Sequence, residues 1–232
     1  MKFEIRNRFS GKVQFTAEID CDESTPDSTK IGFAVIWAIK NKVDLIGADL
    51  RGADLRDEDL KETILRDTNL ERADLRGADL EEADLTCANL TDADLEEANI
   101  IRADLSGAIL IRADLTRADL EGTILGETNT RSFKHDLWGI LIRFKHEIPQ
   151  LITYIKDGKI NGSCYSGNCS CLMGTFAKIK KCDINDDQFS IKDSYSPAEQ
   201  WFSMIKPGHT PENSFASKMA LEWIEEFLDL LK

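Results

Sequence analysis

No run of about 18 apolar residues occurs anywhere in this 232-residue chain, so no membrane-spanning helix is expected. The opening stretch, MKFEIRNRFSGKVQF, lacks both the continuous apolar core and the small-residue cleavage site of a secretory signal. The expected compartment is therefore cytoplasmic, and the six cysteines read as thiols rather than a disulfide framework. Only three histidines are present, at 135, 146 and 209, and nothing around them resembles a catalytic triad. Gly162, Gly167 and Gly174 are not followed by a Walker lysine, and no G-x-G-x-x-G follows a strand, so phosphate-binding loops are excluded. An excess of basic residues is also missing. The net charge is −13, which disfavours nucleic acid and anionic membrane and suits a basic protein partner.

That charge is localised. Residues 43–127 hold 23 acidic against nine basic side chains, whereas the flanks are close to balance. The same region has a strict period. Leucine recurs every fifth residue from Leu45 to Leu125, with Ile100 filling the one gap, over 17 units. Two residues before each centre stands alanine at 12 of the 17 places, with Val43, Thr63, Thr68 and Thr123 at four more. Glu58 is the exception.

A period of five suits neither regular element. On an α-helix each step of five turns by about 140° and scatters the leucines around the axis. On one straight strand an odd period sends alternate leucines to opposite faces. Turning a corner every five residues removes the conflict: the small residue and the leucine point inward, their neighbours outward. The corner position accounts for Gly47, Gly52, Gly77, Gly107 and Gly122. Stacked coils then pair at about 4.8 Å.

Runs such as ADLRGADLEEADLTCANLTDADL resemble the pentapeptide-repeat family, whose motif is A(D/N)LXX. The resemblance implies four units per coil and a right-handed quadrilateral β-helix solenoid. Seventeen units then make a rod of roughly 20 Å at the sheet spacing.

Taking every fourth unit sorts the rod into sides. Asp54, Asp74, Asp94 and Asp114 form one column, and the adjoining side of Leu60, Leu80, Ile100 and Leu120 is strongly acidic. The side of Leu50, Leu70, Leu90 and Leu110 is neutral. The candidate partner surface is therefore Asp79, Glu81, Glu82, Asp94, Glu96 and Glu97. Outward isoleucines at 46, 64, 109, 111 and 124 are expected to be covered by flanking segments. Glu58, inward by register, is expected to bulge or reach solvent, because an unpaired buried carboxylate costs several kcal/mol.

Three domains follow: residues 1–42, 43–130 and 131–232. In the first, alternation at 2–7 and 13–19 around Ser10-Gly11 predicts a β-hairpin. Thr25-Pro26 predicts the start of a helix running to about residue 40, which would plug the first coil. In the third, aromatics and methionines return and the pattern predicts an all-α domain. Its helices are expected near 135–146, 148–157, 171–181, 197–206 and 213–231, the last with a stripe of Leu221, Ile224, Phe227, Leu228 and Leu231. In layout this flank resembles C-terminal extensions of uncharacterised bacterial and phage pentapeptide proteins. The fold class is mainly β.

One segment holds clustered thiols: Cys164, Cys169 and Cys171, followed by Cys182. Thiolates bind zinc, with His146 or His209 as alternative fourth ligands, but C-x₄-C-x-C lacks the paired C-x₂-C knuckles of common zinc sites. A helix start near Cys169 and Cys171 would lower their pKa and permit redox chemistry. Structural thiols are the default, and no metal or cofactor is expected. No catalytic residue is assigned.

The function expected is a non-catalytic, acidic protein-interaction scaffold, monomeric or dimeric. One alternative comes from the resemblance: some pentapeptide proteins linked to quinolone resistance mimic DNA and bind DNA gyrase. A charge of −14 over the rod, about one per 1.5 Å, is near that of duplex DNA. Three features oppose mimicry: nine interrupting basic residues, a rod of about half a DNA turn, and a helical flank where gyrase-binding relatives join ends. The other alternative is a zinc- or thiol-dependent role of residues 131–232.

Overall fold

The computed structural model describes residues 1–126, 128, 130–162, 172–180 and 196–232. It divides into two compact units, Met1–Thr130 and Arg131–Lys232.

In the first unit, β1 (Lys2–Arg6) and β2 (Val13–Glu18) form an antiparallel hairpin with Ile5 paired to Phe15 and Phe3 to Ala17. Asn7 organises its turn, its Oδ1 accepting from the Phe9 and Ser10 amides at 3.1 Å. The register slips between Ile5 and Arg6, and the chain leaves the hairpin to pair Asn7 with Ala48 of the first repeat. Helix α1 (Asp27–Lys40) follows. Its N-cap is Pro26, and no side chain caps it. Thr25, the residue expected to cap, is instead held with Ser24 by the Asp22 carboxylate. Hydrogen bonds from Ser24, then from Thr25, hold that carboxyl below its ordinary range.

The repeats wind with 20 residues per coil. Twelve parallel bridges join residues 20 apart, from Asp49 with Asn69 to Asp104 with Ile124, which is four units per turn. Every fifth residue from Lys42 to Gly122 has positive φ, twelve of them not glycine. From Gly47 onward each such residue is the third of a β-turn closed from the alanine-position amide to the carbonyl of the preceding unit's centre, as Ala53 to Leu50 at 3.1 Å. Positive φ at the third place and not the second defines a type II turn. The corner is thus set by hydrogen bonding and repetition, and glycine only removes its steric cost.

The remaining amides are accounted for with equal regularity. Within the unit at 68–72, Asn69 donates back to Ala48, Leu70 forward to Asn89 and Arg72 forward to Thr91. The amide two places after the Asp or Asn has no coil-to-coil acceptor, and the side chain supplies one. Twelve such Asx contacts occur, from Ile46 to Asp44 at 2.8 Å through Glu121 to Asp119 at 3.2 Å. This is why the motif demands Asp or Asn at that place. From Leu45 to Leu120 the leucine and alanine ladders are buried, most of them completely. Where threonine replaces alanine, the buried hydroxyl is satisfied: Thr68 Oγ1 donates to the Leu65 carbonyl at 2.6 Å and Thr123 Oγ1 to Ile100 at 2.7 Å.

At the first coil two amides find acceptors outside the repeats. Asp49 donates to the Arg6 carbonyl at 2.8 Å and Asp54 to the Ser28 carbonyl at 3.0 Å. Glu58 keeps the turn hydrogen bond to Leu55 at 3.3 Å, so the coil does not bulge there; the residue is half-buried. The expectation that flanking segments cover the outward isoleucines fails for three of them. Ile46 is 39% exposed and Ile64 and Ile124 are each 53% exposed. Ile64 and Ile124 stand at the second place of their units, bridged to Asp84 and Asp104, with their side chains outward, and Ile46 stands on the first corner turn.

In the second unit the described residues form α2 (Arg131–Arg143), α3 (Ile148–Lys156), α4 (Leu172–Lys180), α5 (Pro197–Ser203) and α6 (Phe215–Leu230). Trp201 is the centre of the core, with ring centroids 4.5 Å from Trp223 and 5.4 Å from Phe133. Its Nε1 donates to the Ala216 carbonyl at 3.0 Å. Helix α2 starts earlier than its pattern suggested, because buried Phe133 begins the stripe continued by Leu137, Leu141 and Phe144. On α6 the buried face is Ala220, Trp223, Ile224 and Phe227, whereas Leu231 is 51% exposed. The large Trp223 ring rotates the helix away from the leucine stripe read from the sequence.

Candidate interaction surface

The acidic residues of the rod do two different jobs. Those at the second place of each unit make the Asx contacts and stand in columns along the coils. Those at the fourth and fifth places are free of that duty. Of the six residues singled out from the sequence, Asp79 and Asp94 belong to the first class. Glu81, Glu82, Glu96 and Glu97 belong to the second. With four units per coil, the units at 78–82 and 93–97 lie on adjoining sides.

All nine basic side chains of residues 43–127 make ion pairs. Most pairs reach between coils. Lys61 spans Asp79 at 3.0 Å and Glu81 at 3.3 Å. Arg102 pairs with Glu82 at 2.8 Å and also with Glu81, and Arg117 pairs with Glu96 at 2.8 Å and with Glu97. The clusters are thus partly compensated, and each retains carboxylate oxygens facing solvent. Glu82 and Glu97 side chains are about half exposed.

The aspartate column is neutralised along half its length. Arg56 pairs with Asp54 at 2.7 Å and Asp74 at 3.4 Å, and Arg76 pairs with Asp74 at 2.5 Å and Asp94 at 3.4 Å. Hydrogen bonds from Arg56 and Arg76 hold the Asp54 and Asp74 carboxyls below their ordinary range. Above residue 76 this side presents Glu96 and Thr116 in place of arginine. Burial, with Asp114 and Asp74 on either side, therefore pushes the Asp94 carboxyl up. The asparagine columns avoid the repulsion: Asn89 donates to Asn69 at 3.0 Å and Asn99 to Asp79 at 2.9 Å.

Grooves open on the described residues of the first unit. One, of about 580 Å³, is lined by residues that include Ile39, Val43, Ile46, Lys61, Glu62 and Ile64. The other, of about 400 Å³, lies between Glu18, Ile19 and Asp20, the α1 residues Phe33, Ile36, Trp37 and Lys40, and Glu58. The second groove has no signal in the sequence beyond Glu58, the one break in the small-residue ladder, which lines it.

Cys164, Cys169, Cys171 and Cys182 lie outside the described residues. Among the described residues, no group of three His, Cys, Asp or Glu side chains is arranged to hold a metal ion. Of the proposed fourth ligands, His146 is exposed and His209 Nδ1 accepts from the Lys206 amide at 3.2 Å. Cys21 and Cys87 are free thiols. No described helix is long and apolar enough to cross a membrane.

The pentapeptide-repeat model matches residues 59–91 and 88–126, in eight copies. A pentapeptide repeat protein from Nostoc PCC 7120 is 33% identical over 34% of this chain and 74% of its own, with a TM-score of 0.18. A second, from the Arabidopsis thaliana thylakoid lumen, is 35% identical over 37% of this chain and 60% of its own, with a TM-score of 0.28. QnrB1, a plasmid-mediated fluoroquinolone resistance protein, is 23% identical over 36% of this chain and 55% of its own, with a TM-score of 0.24. The chain thus spans little more than half of the last two. No curated protein matches it. With its repeats, its 20-residue coils and these matches, the chain belongs to the pentapeptide-repeat family.

Proposed function

We propose that this protein is a non-catalytic interaction scaffold that presents the acidic sides of its rod to a basic protein partner. The observation that carries the reading is the division of labour among the acids. Asp79 and Asp94 belong to the Asx framework, whereas Glu81, Glu82, Glu96 and Glu97 stand at places the fold does not require to be acidic. A backbone paired along its length holds them on a fixed frame, which lowers the ordering cost of association. In this reading residues 1–42 close the first coil, the helix is right-handed, and residues 131–232 form a separate helical domain. The protein acts in the cytoplasm, as a monomer or dimer, without binding nucleic acid or membrane.

The test is a pull-down comparing the wild type with a variant carrying Lys at 81, 82, 96 and 97. A partner retained by the wild type, released by raised salt and absent from the variant supports the reading. Partners indifferent to those charges would leave the acids a solubilising role only.

The charge of the repeat region favours a second reading, a DNA-mimicking binder of DNA gyrase or another basic DNA-handling protein. Gyrase supercoiling with and without micromolar protein tests it; no inhibition and no protection would remove it. A zinc- or thiol-dependent role for Cys164, Cys169, Cys171 and Cys182 is tested by zinc content after purification without added metal.

A further inference from the structure

We propose that the groove between β2 and α1 is a docking site for a basic, partly aliphatic peptide segment of another protein. This rests on the scaffold reading and gives it a second, separate contact. The floor and walls are apolar: Phe33, Ile36, Trp37 and the buried Ile19, with Phe33 42% exposed. Trp37 is held in place by stacking on Phe15, with ring centroids 6.3 Å apart and planes 13° apart. The charged residues around this floor are Glu18, Asp20 and Glu58, against the single cation Lys40. Among the described residues none of these four makes an ion pair, whereas every basic residue of the repeats does. The groove thus holds three uncommitted carboxylates beside exposed aromatic surface.

Glu58 makes the arrangement specific. It stands where 16 of the 17 units carry a small or β-branched residue, and the fold gains nothing evident from it. Half-buried, it lines the groove. Aromatic rings with nearby carboxylates suit a guanidinium or ammonium group on an aliphatic stem, which stacks on the ring while its head pairs with oxygen. The larger groove lacks this preference. Its Lys42 and Lys61 balance Asp44 and Glu62, and Lys61 is already paired with Asp79 and Glu81.

The experiment uses the full chain and a fluorescein-labelled hexapeptide of alternating leucine and arginine, followed by anisotropy, with the leucine–glutamate hexapeptide as the control. The expected result is saturable binding of the basic peptide only, weakened about tenfold by Glu58→Ala and by Phe33→Ser. Glu58→Ala restores the common residue of the repeat, so circular dichroism and thermal melting should show the fold intact. Glu81→Lys combined with Glu82→Lys should leave this binding within about twofold. Binding lost in that Lys variant but unchanged in Glu58→Ala would overturn the groove and leave the scaffold reading standing. No binding of the basic peptide up to about 1 mM, or equal binding of the acidic one, would also overturn the groove.

Discussion

Gly32 of α1 lies against the carbonyl of Asp54 so closely that a Cβ there would sit 2.1 Å from the oxygen. Backbone stands on both sides of this contact, so neither group can swing away. In an unconstrained helix, Gly→Ala stabilises by about 1 kcal/mol. Here the clash reverses the sign. Gly32→Ala is expected to destabilise the first unit by about 2–3 kcal/mol, as overpacking of a rigid contact does. Urea denaturation checks this, and a stabilised variant would show that α1 does not bear on the first coil as described.

The Asx contact predicts a difference between two changes at one residue. Asp84 Oδ1 accepts from the Thr86 amide at 3.0 Å, and Asp84 also pairs with Arg66 at 2.6 Å. Asp84→Asn keeps the acceptor, while Asp84→Ala removes it. The alanine variant is expected to be the less stable of the two by about 1 kcal/mol, the usual cost of a lost hydrogen bond in such a turn. Equal melting temperatures would show that solvent replaces the side chain without penalty.

Much of this was legible because the repeat is over-determined. Sixteen leucines and Ile100 in register force a corner every five residues, and the 20-residue coil appears in the structure as the family resemblance implied. The acidic residues were visible, but their division into framework and unassigned charges was not. Asp74 and Glu96 look alike in a string, and only the turn geometry shows that one accepts a backbone amide. The Phe33–Glu58 groove was hidden for another reason: it joins residues from β2, α1 and the repeat, and no local period reports such a meeting. The leucine stripe on α6 misled because amphipathic counting weighs Leu231 like Trp223, whereas packing gave the face to the larger ring.

Stability should change with pH through the aspartate columns, with opposing signs. Asp54 and Asp74, held down chiefly by Arg56 and Arg76, contribute stability above the ordinary carboxyl value of 3.8 that is lost as pH falls through their lower folded values. Asp94 is raised by burial and by its aspartate neighbours, so its ionisation costs stability, and that cost is relieved as pH falls through its raised value. Asp94→Asn removes the ionising group and keeps the acceptor for Glu96. Its stability advantage over wild type should be present at neutral pH and fade toward pH 3.8. Thermal melts across that range decide the matter; an advantage constant with pH would assign the effect to packing instead.

Arg102 separates the compensating role of the rod's cations from a purely structural one. It reaches between coils to Glu81 and Glu82, and its side chain is 53% exposed. A surface pair of this kind is screened by water and salt. Arg102→Gln should therefore leave the melting temperature nearly unchanged while freeing two carboxylates on one side of the rod. Stopped-flow association with a labelled deca-lysine peptide should then be about two- to fivefold faster for the variant at low ionic strength, and the difference should shrink as salt is raised to about 0.15 M. Raising Arg102→Gln against a background of Lys at 81 and 82 should abolish the gain, because no carboxylate remains there to be released. A gain that survives in that background would place the electrostatic contact elsewhere on the rod and take Glu81 and Glu82 out of the partner surface.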